Sequence, residues 1–281
     1  MRPTVRSAEC DDPSLRDLLL HVEARRARAR QRLTAAGASL PRRHDAAPAG
    51  DAGTVLSLER PTPDLLRLTL AKPPGFTHRA GQSVRLALGG VRRRYTLVSA
   101  PHEAALEFFI ELVPGGPMSE RWRAVRVGDR VTIAGAAKGG IDLVAGARRH
   151  LMLATVTGVN PFVSLLRDAV HRGRRDLGCI LVHGASYADE LGYRDELEAL
   201  AAARPDLVVY VPTVSRPGEA RNAGWRGAHG RAETHVDALR ARHGLTPATT
   251  AGYACGHPAM VDAVERHLGG LGFAVRVERY G

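Results

Sequence analysis

The sequence predicts a two-domain protein: an antiparallel β-barrel or sandwich, then a parallel sheet wound with helices. Three observations predict it. At 281 residues the chain is long for one compact domain and natural for two. Between Thr54 and about Arg149, short strand-like runs follow one another, with Pro, Gly and Asp between them. From His150 onward, apolar runs of strand length alternate with helical stretches, the pattern of right-handed βαβ crossovers. The expected divisions are residues 1–50, 51–148 and 149–281.

Residues 1–50 read as a basic extension, helical or disordered. Leu15, Leu18, Leu19 and Val22 recur at helical spacing, and Asp12 or Ser14 can cap the start. Arg25, Arg26, Arg28, Arg30 and Arg32 crowd the second half. A docked or poorly ordered segment outweighs a helix built for an acidic partner or a membrane surface. Pro41 to Gly53 reads as a linker. Strands are then expected at Thr54–Arg60, Leu65–Ala71, Ser83–Leu88, Arg93–Val98, Leu106–Leu112 and Arg130–Ile133. A helical stretch, Glu120–Val125, falls before the last of these. Buried strands follow at Leu151–Val156, Cys179–His183, Leu207–Val214, Gly252–Cys255 and Phe273–Val277. Helices are expected between most of them, at Pro161–His171, Glu190–Ala203, Thr234–His243 and Pro258–Leu268.

Composition narrows the function classes. Hydrophobic residues at 44% and charged residues at 25% are ordinary globular usage, which excludes global disorder. No apolar run approaches the roughly 20 residues of a membrane-spanning helix, and no apolar leader opens the chain, so a cytoplasmic protein is expected. Cys10, Cys179 and Cys255 are far apart, which excludes a cluster held by four cysteines, a zinc ribbon and a disulfide scaffold; no metal site is expected. The net charge of +11 favours anionic partners. Specific nucleic-acid binding is not among them, because the arginines are scattered and aromatic residues are only 5%.

Four constellations carry chemistry. In Arg93-Arg94-Tyr95-Thr96-Leu97, the arginine can pair with a pyrophosphate, the tyrosine on the same side of the strand can pack on a ring or sugar, and the hydroxyl can bond a heterocycle nitrogen. Pro114-Gly115-Gly116-Pro117-Met118-Ser119 brings backbone and a helix start to a phosphate. Leu151 to Phe162 runs from a buried strand through a turn into a helix with Pro161 near its first position, where a doubly wound domain binds a nucleotide pyrophosphate. Ala254-Cys255-Gly256-His257-Pro258-Ala259-Met260 ends another strand at the same crevice. Taken singly, each also fits a plain strand, turn or core residue.

Together, and in this order, they resemble the ferredoxin/flavodoxin–NADP reductase superfamily, most closely its bacterial ferredoxin–NADP reductases. Arg93, Tyr95 and Thr96 match R-x-Y-[ST]; Gly116 and Ser119 match G-x-x-S; Val156 to Phe162 nearly match G-T-G-x-x-P-F; Cys255, Gly256, Pro258 and Met260 match C-G-x-P-x-M. The resemblance covers the chain from about Thr54 to its end. It implies a flavin-binding β-barrel followed by a Rossmann-like NADP domain. It implies that Arg93 and Ser119, with the backbone around Gly116 and Met118 and the strand at Leu97, hold FAD, with Tyr95 against the flavin and Thr96 near its N5. Thr157, Gly158 and Pro161 would form the NADP pyrophosphate turn. Cys255, with Gly256 and Met260 in its motif, would sit beside the nicotinamide, and Tyr280 near the flavin. Ser215 and Arg216 match the Ser-Arg pair for a 2′-phosphate, Arg231 matches a second arginine, and Ser186 stands where a third is common, so NADP is favoured over NAD. Val156 departs from the pattern, where a Cβ and two methyls would narrow the phosphate turn or shift the nicotinamide arm, and so does Asn160.

The implied function is an FAD-dependent oxidoreductase, passing hydride between NADP(H) and flavin and single electrons to or from an acidic carrier, ferredoxin or flavodoxin. The alternatives are an oxygenase-partner or free-flavin reductase, and a non-catalytic flavin- or nucleotide-binding regulator with residues 1–50 as its arm.

Overall fold

In the computed structural model, residues 51–280 are described; the extension expected at residues 1–50 lies outside them. The chain forms two six-stranded sheets. The first is antiparallel, in the order β4-β3-β6-β1-β2-β5. Its strands are β1 (Asp51–Thr62), β2 (Leu65–Ala71), β3 (Ser83–Leu88), β4 (Val91–Thr96), β5 (Ala105–Glu111) and β6 (Arg130–Ile133). Register shifts in β1 bend it so that it pairs β2 along its later half and β6 along its start. The two edges approach just past β4, where the Val98 amide donates to the Glu107 carbonyl at 2.8 Å. The sheet thereby curls into a nearly closed barrel, as the resemblance implies. Its interior holds Val55, Leu66, Leu68, Leu70, Val84, Leu86, Phe108 and Val131, alternate residues of period-two strands. Helix α1 (Pro117–Ala124) plugs one side through Met118 and Trp122.

The second sheet is parallel throughout, ordered β10-β9-β8-β7-β11-β12. Its strands are β7 (Arg149–Thr155), β8 (Gly178–Ala185), β9 (Val208–Val214), β10 (Ala228–His229), β11 (Thr250–Gly256) and β12 (Ala274–Arg279). Helices α2 (Asn160–His171), α3 (Arg194–Ala203), α4 (Val236–His243) and α5 (Pro258–Gly270) accompany it. Strands β7 and β11 read as continuous apolar runs because both of their faces are covered. Strand order reverses between β7 and β11, and such a switch point opens a ligand crevice at the carboxyl ends of those two strands.

Two differences from the predicted elements have local causes. The helix expected from Glu190 starts at Arg194, since Tyr193 takes a left-handed φ of +64° and splits off a 3-10 turn at Ala188–Glu190. The short β10 was not predicted, because two residues carry no periodicity.

The domains are joined by buried polar contacts. Arg167 on α2 reaches Glu107 of the barrel at 2.7 Å and Glu196 of α3 at 2.7 Å. The Tyr193 hydroxyl also donates to Glu107, at 3.0 Å. Asn160 donates from Nδ2 to the Phe109 carbonyl at 2.8 Å, and Ser164 from Oγ to the Ser99 carbonyl at 2.9 Å. Asn160, a departure from the family pattern, is thus a tie between the domains. Among the described residues, no helix is long and apolar enough to cross a membrane.

Candidate functional site

The carboxyl ends of β7 and β11 interlock through two glycines. A Cβ on Gly158 would stand 2.1 Å from the Cys255 carbonyl oxygen. Gly256, at φ +125°, lies so close to Thr155 that a Cβ there would meet Oγ1 at 2.2 Å. The same Thr155 Oγ1 accepts the His257 amide at 2.7 Å. Only residues without a side chain permit this approach, so the two turns are held as one unit. Thr157 and Pro161 are buried in it. Thr155 was not singled out from sequence: a threonine ending a strand carries no signal until the facing turn is in place.

Val156 lies in the first turn with φ +44°, a conformation that β-branched residues rarely adopt. The sequence suggested that its methyls narrow the turn. The half-buried side chain packs against apolar clusters that include Ala185, Leu191 and Val214.

Opposite this crevice stands the end of β4. Thr96 is 4% exposed, and its Oγ1 donates to Glu278 Oε1 of β12 at 3.1 Å. In the β11–β12 register Glu278 pairs with Cys255, so barrel and wound sheet bring Thr96, Glu278 and Cys255 to one place. Tyr280 completes the group, its hydroxyl buried beside Cys255 and Thr96. Burial pushes the Cys255 thiol well above its usual range, reinforced by the Glu278 charge, so it stays protonated. Burial raises the Glu278 carboxyl too, opposed by the Thr96 hydrogen bond. Glu278 is the residue that sequence reasoning missed. Its only signal is position: it faces Cys255 across a parallel ladder and lies two residues before Tyr280.

On the barrel side, the Tyr95 hydroxyl accepts from Trp122 Nε1 at 2.9 Å, which fixes the tyrosine ring against α1. Arg93 is exposed, and its guanidinium donates to the neighbouring Arg92 carbonyl at 2.9 Å. Gly116 is the N-cap of α1 and supplies no side-chain cap, with Met118 and Ser119 buried behind it. Leu97 is a core residue, and Met260 lies in the apolar layer under α5; any part these two play in a site is through their backbone.

Beyond the sheet, the loops after β8 and β9 meet. Asn222 clasps them, donating from Nδ2 to the Ser186 and Arg216 carbonyls at 3.0 and 2.8 Å. The exposed Arg216 lies over the Tyr187 ring at 5.6 Å, and Arg221 lies over it at 4.1 Å. Ser215 and Arg231 are exposed on the same side of the sheet, after β9 and β10. This is a cationic, aromatic-lined surface at the carboxyl end of a parallel sheet.

Residues 152–266 match the family model described as oxidoreductase NAD-binding domain. The chain is 35% identical over 217 residues to ferredoxin–NADP reductase B of Sorangium cellulosum, spanning 73% of this chain and 86% of that one. It is 28% identical over 235 residues to the ferredoxin–NADP reductase of Pseudomonas aeruginosa, spanning 79% and 90%. Its fold superposes on a ferredoxin NADP+ reductase from Neisseria gonorrhoeae with bound FAD and NADP, at TM-score 0.70 and 27% identity, over 82% of this chain and 98% of that one.

Proposed function

Because the chain belongs to the ferredoxin–NADP reductase family, we propose that it is an FAD-dependent oxidoreductase that exchanges hydride with NADP(H) and single electrons with ferredoxin. The observation that carries this reading is the convergence of Thr96 from the barrel with Cys255, Glu278 and Tyr280 from the wound sheet.

The residues present fit both cofactors. Glu278 Oε2 and the Tyr280 hydroxyl are buried without a hydrogen-bond partner, a costly state that the polar edge of a heterocycle would relieve. The start of α1 lacks a side-chain cap, which suits an anion. When bound, FAD and NADP(H) supply the hydride transfer and the one-electron steps. The chain's task is positional. Arg93, Ser119 and the backbone at Leu97, Gly116 and Met118 would hold FAD, with Tyr95 packed against it. Thr157, Gly158 and Pro161 receive the dinucleotide pyrophosphate. Ser215, Arg216 and Arg231 hold the 2′-phosphate that selects NADP. Cys255 and Gly256, set by the core packing of Met260, align the nicotinamide. The protonated Cys255 thiol acts by contact rather than as a nucleophile. Glu278 accepts from Thr96 at Oε1 and so ties β12 to the barrel beside Cys255, and Tyr280 covers the group.

The net charge of +11 suits an acidic carrier, ferredoxin first and flavodoxin second. Steady-state NADPH oxidation by the FAD-loaded protein, with ferricyanide and then ferredoxin as acceptor, tests the reading. Turnover is expected with both, faster with ferredoxin at low salt. No turnover with either would favour a non-catalytic regulator. Turnover with free flavin but not ferredoxin would favour the free-flavin reductase.

A further inference from the structure

His183 lies in the middle of β8 with no exposure. In register it stands between Ala154 of β7 and Pro212 of β9, and Tyr210, two residues before Pro212, shares its face of the sheet. Both ring nitrogens are engaged. Nε2 lies 2.9 Å from the Val156 carbonyl oxygen, and Nδ1 lies 3.1 Å from the Tyr210 hydroxyl. A carbonyl only accepts, so Nε2 carries the proton. Nδ1 is then an acceptor and the Tyr210 hydroxyl donates to it. The direction of the whole chain is fixed: Tyr210 to His183 to Val156.

The end of that chain is the strained residue. Holding a valine at φ +44° is strained and persists only where the surroundings over-determine it. Two things do so here. The isopropyl group packs against Ala185, Leu191 and Val214, beneath the loops that begin at Ser186 and Ser215. The carbonyl is held by the histidine. Thr157 and Gly158 follow directly, so the torsion of Val156 sets where their amides point.

We propose that His183, oriented by Tyr210, is a positioning residue for the dinucleotide turn: it holds the Val156 peptide so that the Thr157 and Gly158 amides meet the pyrophosphate. The proposal rests on the dinucleotide reading given above. Burial pushes the imidazole down to about 4, so the ring stays neutral and the bond keeps one direction across the working pH range.

Calorimetric titration of the FAD-loaded protein with NADP+ tests it in the wild type, His183→Leu and His183→Gln. His183→Leu should bind about tenfold more weakly, the loss of one buried hydrogen bond on a strained carbonyl. His183→Gln should recover to within about threefold, because its amide nitrogen can reach the same carbonyl. Flavin absorbance and melting temperature confirm that each variant is folded. Equal binding by His183→Leu, or a glutamine variant as weak as the leucine one, would overturn the proposal. Should His183→Leu fail to fold, 15N spectra of the wild-type ring serve instead. They should show the Nε2-protonated tautomer, with a resonance that moves on adding NADP+; the other tautomer or an unmoved signal would overturn it. A wild-type protein that takes up no NADP+ removes the dinucleotide reading itself, whereas tight binding indifferent to His183 removes only the lock.

Discussion

The two halves of the cleft are built by different means. On the wound-sheet side the turns after β7 and β11 are set by backbone: Gly158 lies against the Cys255 carbonyl and Gly256 against Thr155, with almost every neighbour buried. On the barrel side, β4 offers side chains from an extended strand, and Arg92, Arg93 and Arg94 are exposed. Backbone against backbone leaves no slack, while an exposed arginine can change partners at small cost. The wound-sheet half should therefore tolerate little substitution, and the barrel half should adapt.

The largest effect is expected where the halves join. Arg167→Leu leaves Glu107 and Glu196 without their guanidinium partner and should destabilise the protein by about 3–5 kcal/mol in urea unfolding. Acid should act next, through His183. Its folded value of about 4 lies below the ordinary 6.5, so the unfolded chain binds the proton first. Stability is then full above pH 6.5 and falls as pH drops toward 4, by roughly 3 kcal/mol from this group. A melting-temperature profile should descend over that interval, and His183→Gln should make the fall shallower, leaving the share of His150, which burial also pushes down to about 4.

Gly158→Ala addresses the sheet half directly. Its methyl would stand 2.1 Å from a backbone oxygen, so NADP+ affinity should fall by about a hundredfold while FAD remains bound. An alanine variant with unaltered affinity would erase the contrast between the halves. Glu278→Gln is the smallest: it keeps an acceptor for Thr96 but replaces the carboxyl group beside Cys255 with an amide, and should slow flavin reduction by NADPH about tenfold in stopped flow.

Much of this was legible in the residues, for identifiable reasons. Strands such as Leu65–Ala71 and Ser83–Leu88 alternate cleanly and are bounded by Pro or Gly, so period and punctuation agree. The two turns at Thr155 and Gly256 were placed because strand, glycine and proline occur in fixed order. What was not legible depends on distant pairings. Glu278 becomes part of the site only through the β12 register and a bond to Thr96, 182 positions away in sequence. The role of His183 depends on a torsion at Val156 that no composition predicts.

The central claim is that Thr96 and Cys255 flank one redox site shared by two domains. Anaerobic titration of the purified protein, followed by its visible spectrum, tests this most directly. A yellow protein that NADPH bleaches at far lower concentration than NADH is the predicted result. A colourless protein that FAD cannot reconstitute, or a flavin that NADPH leaves oxidised, would contradict it.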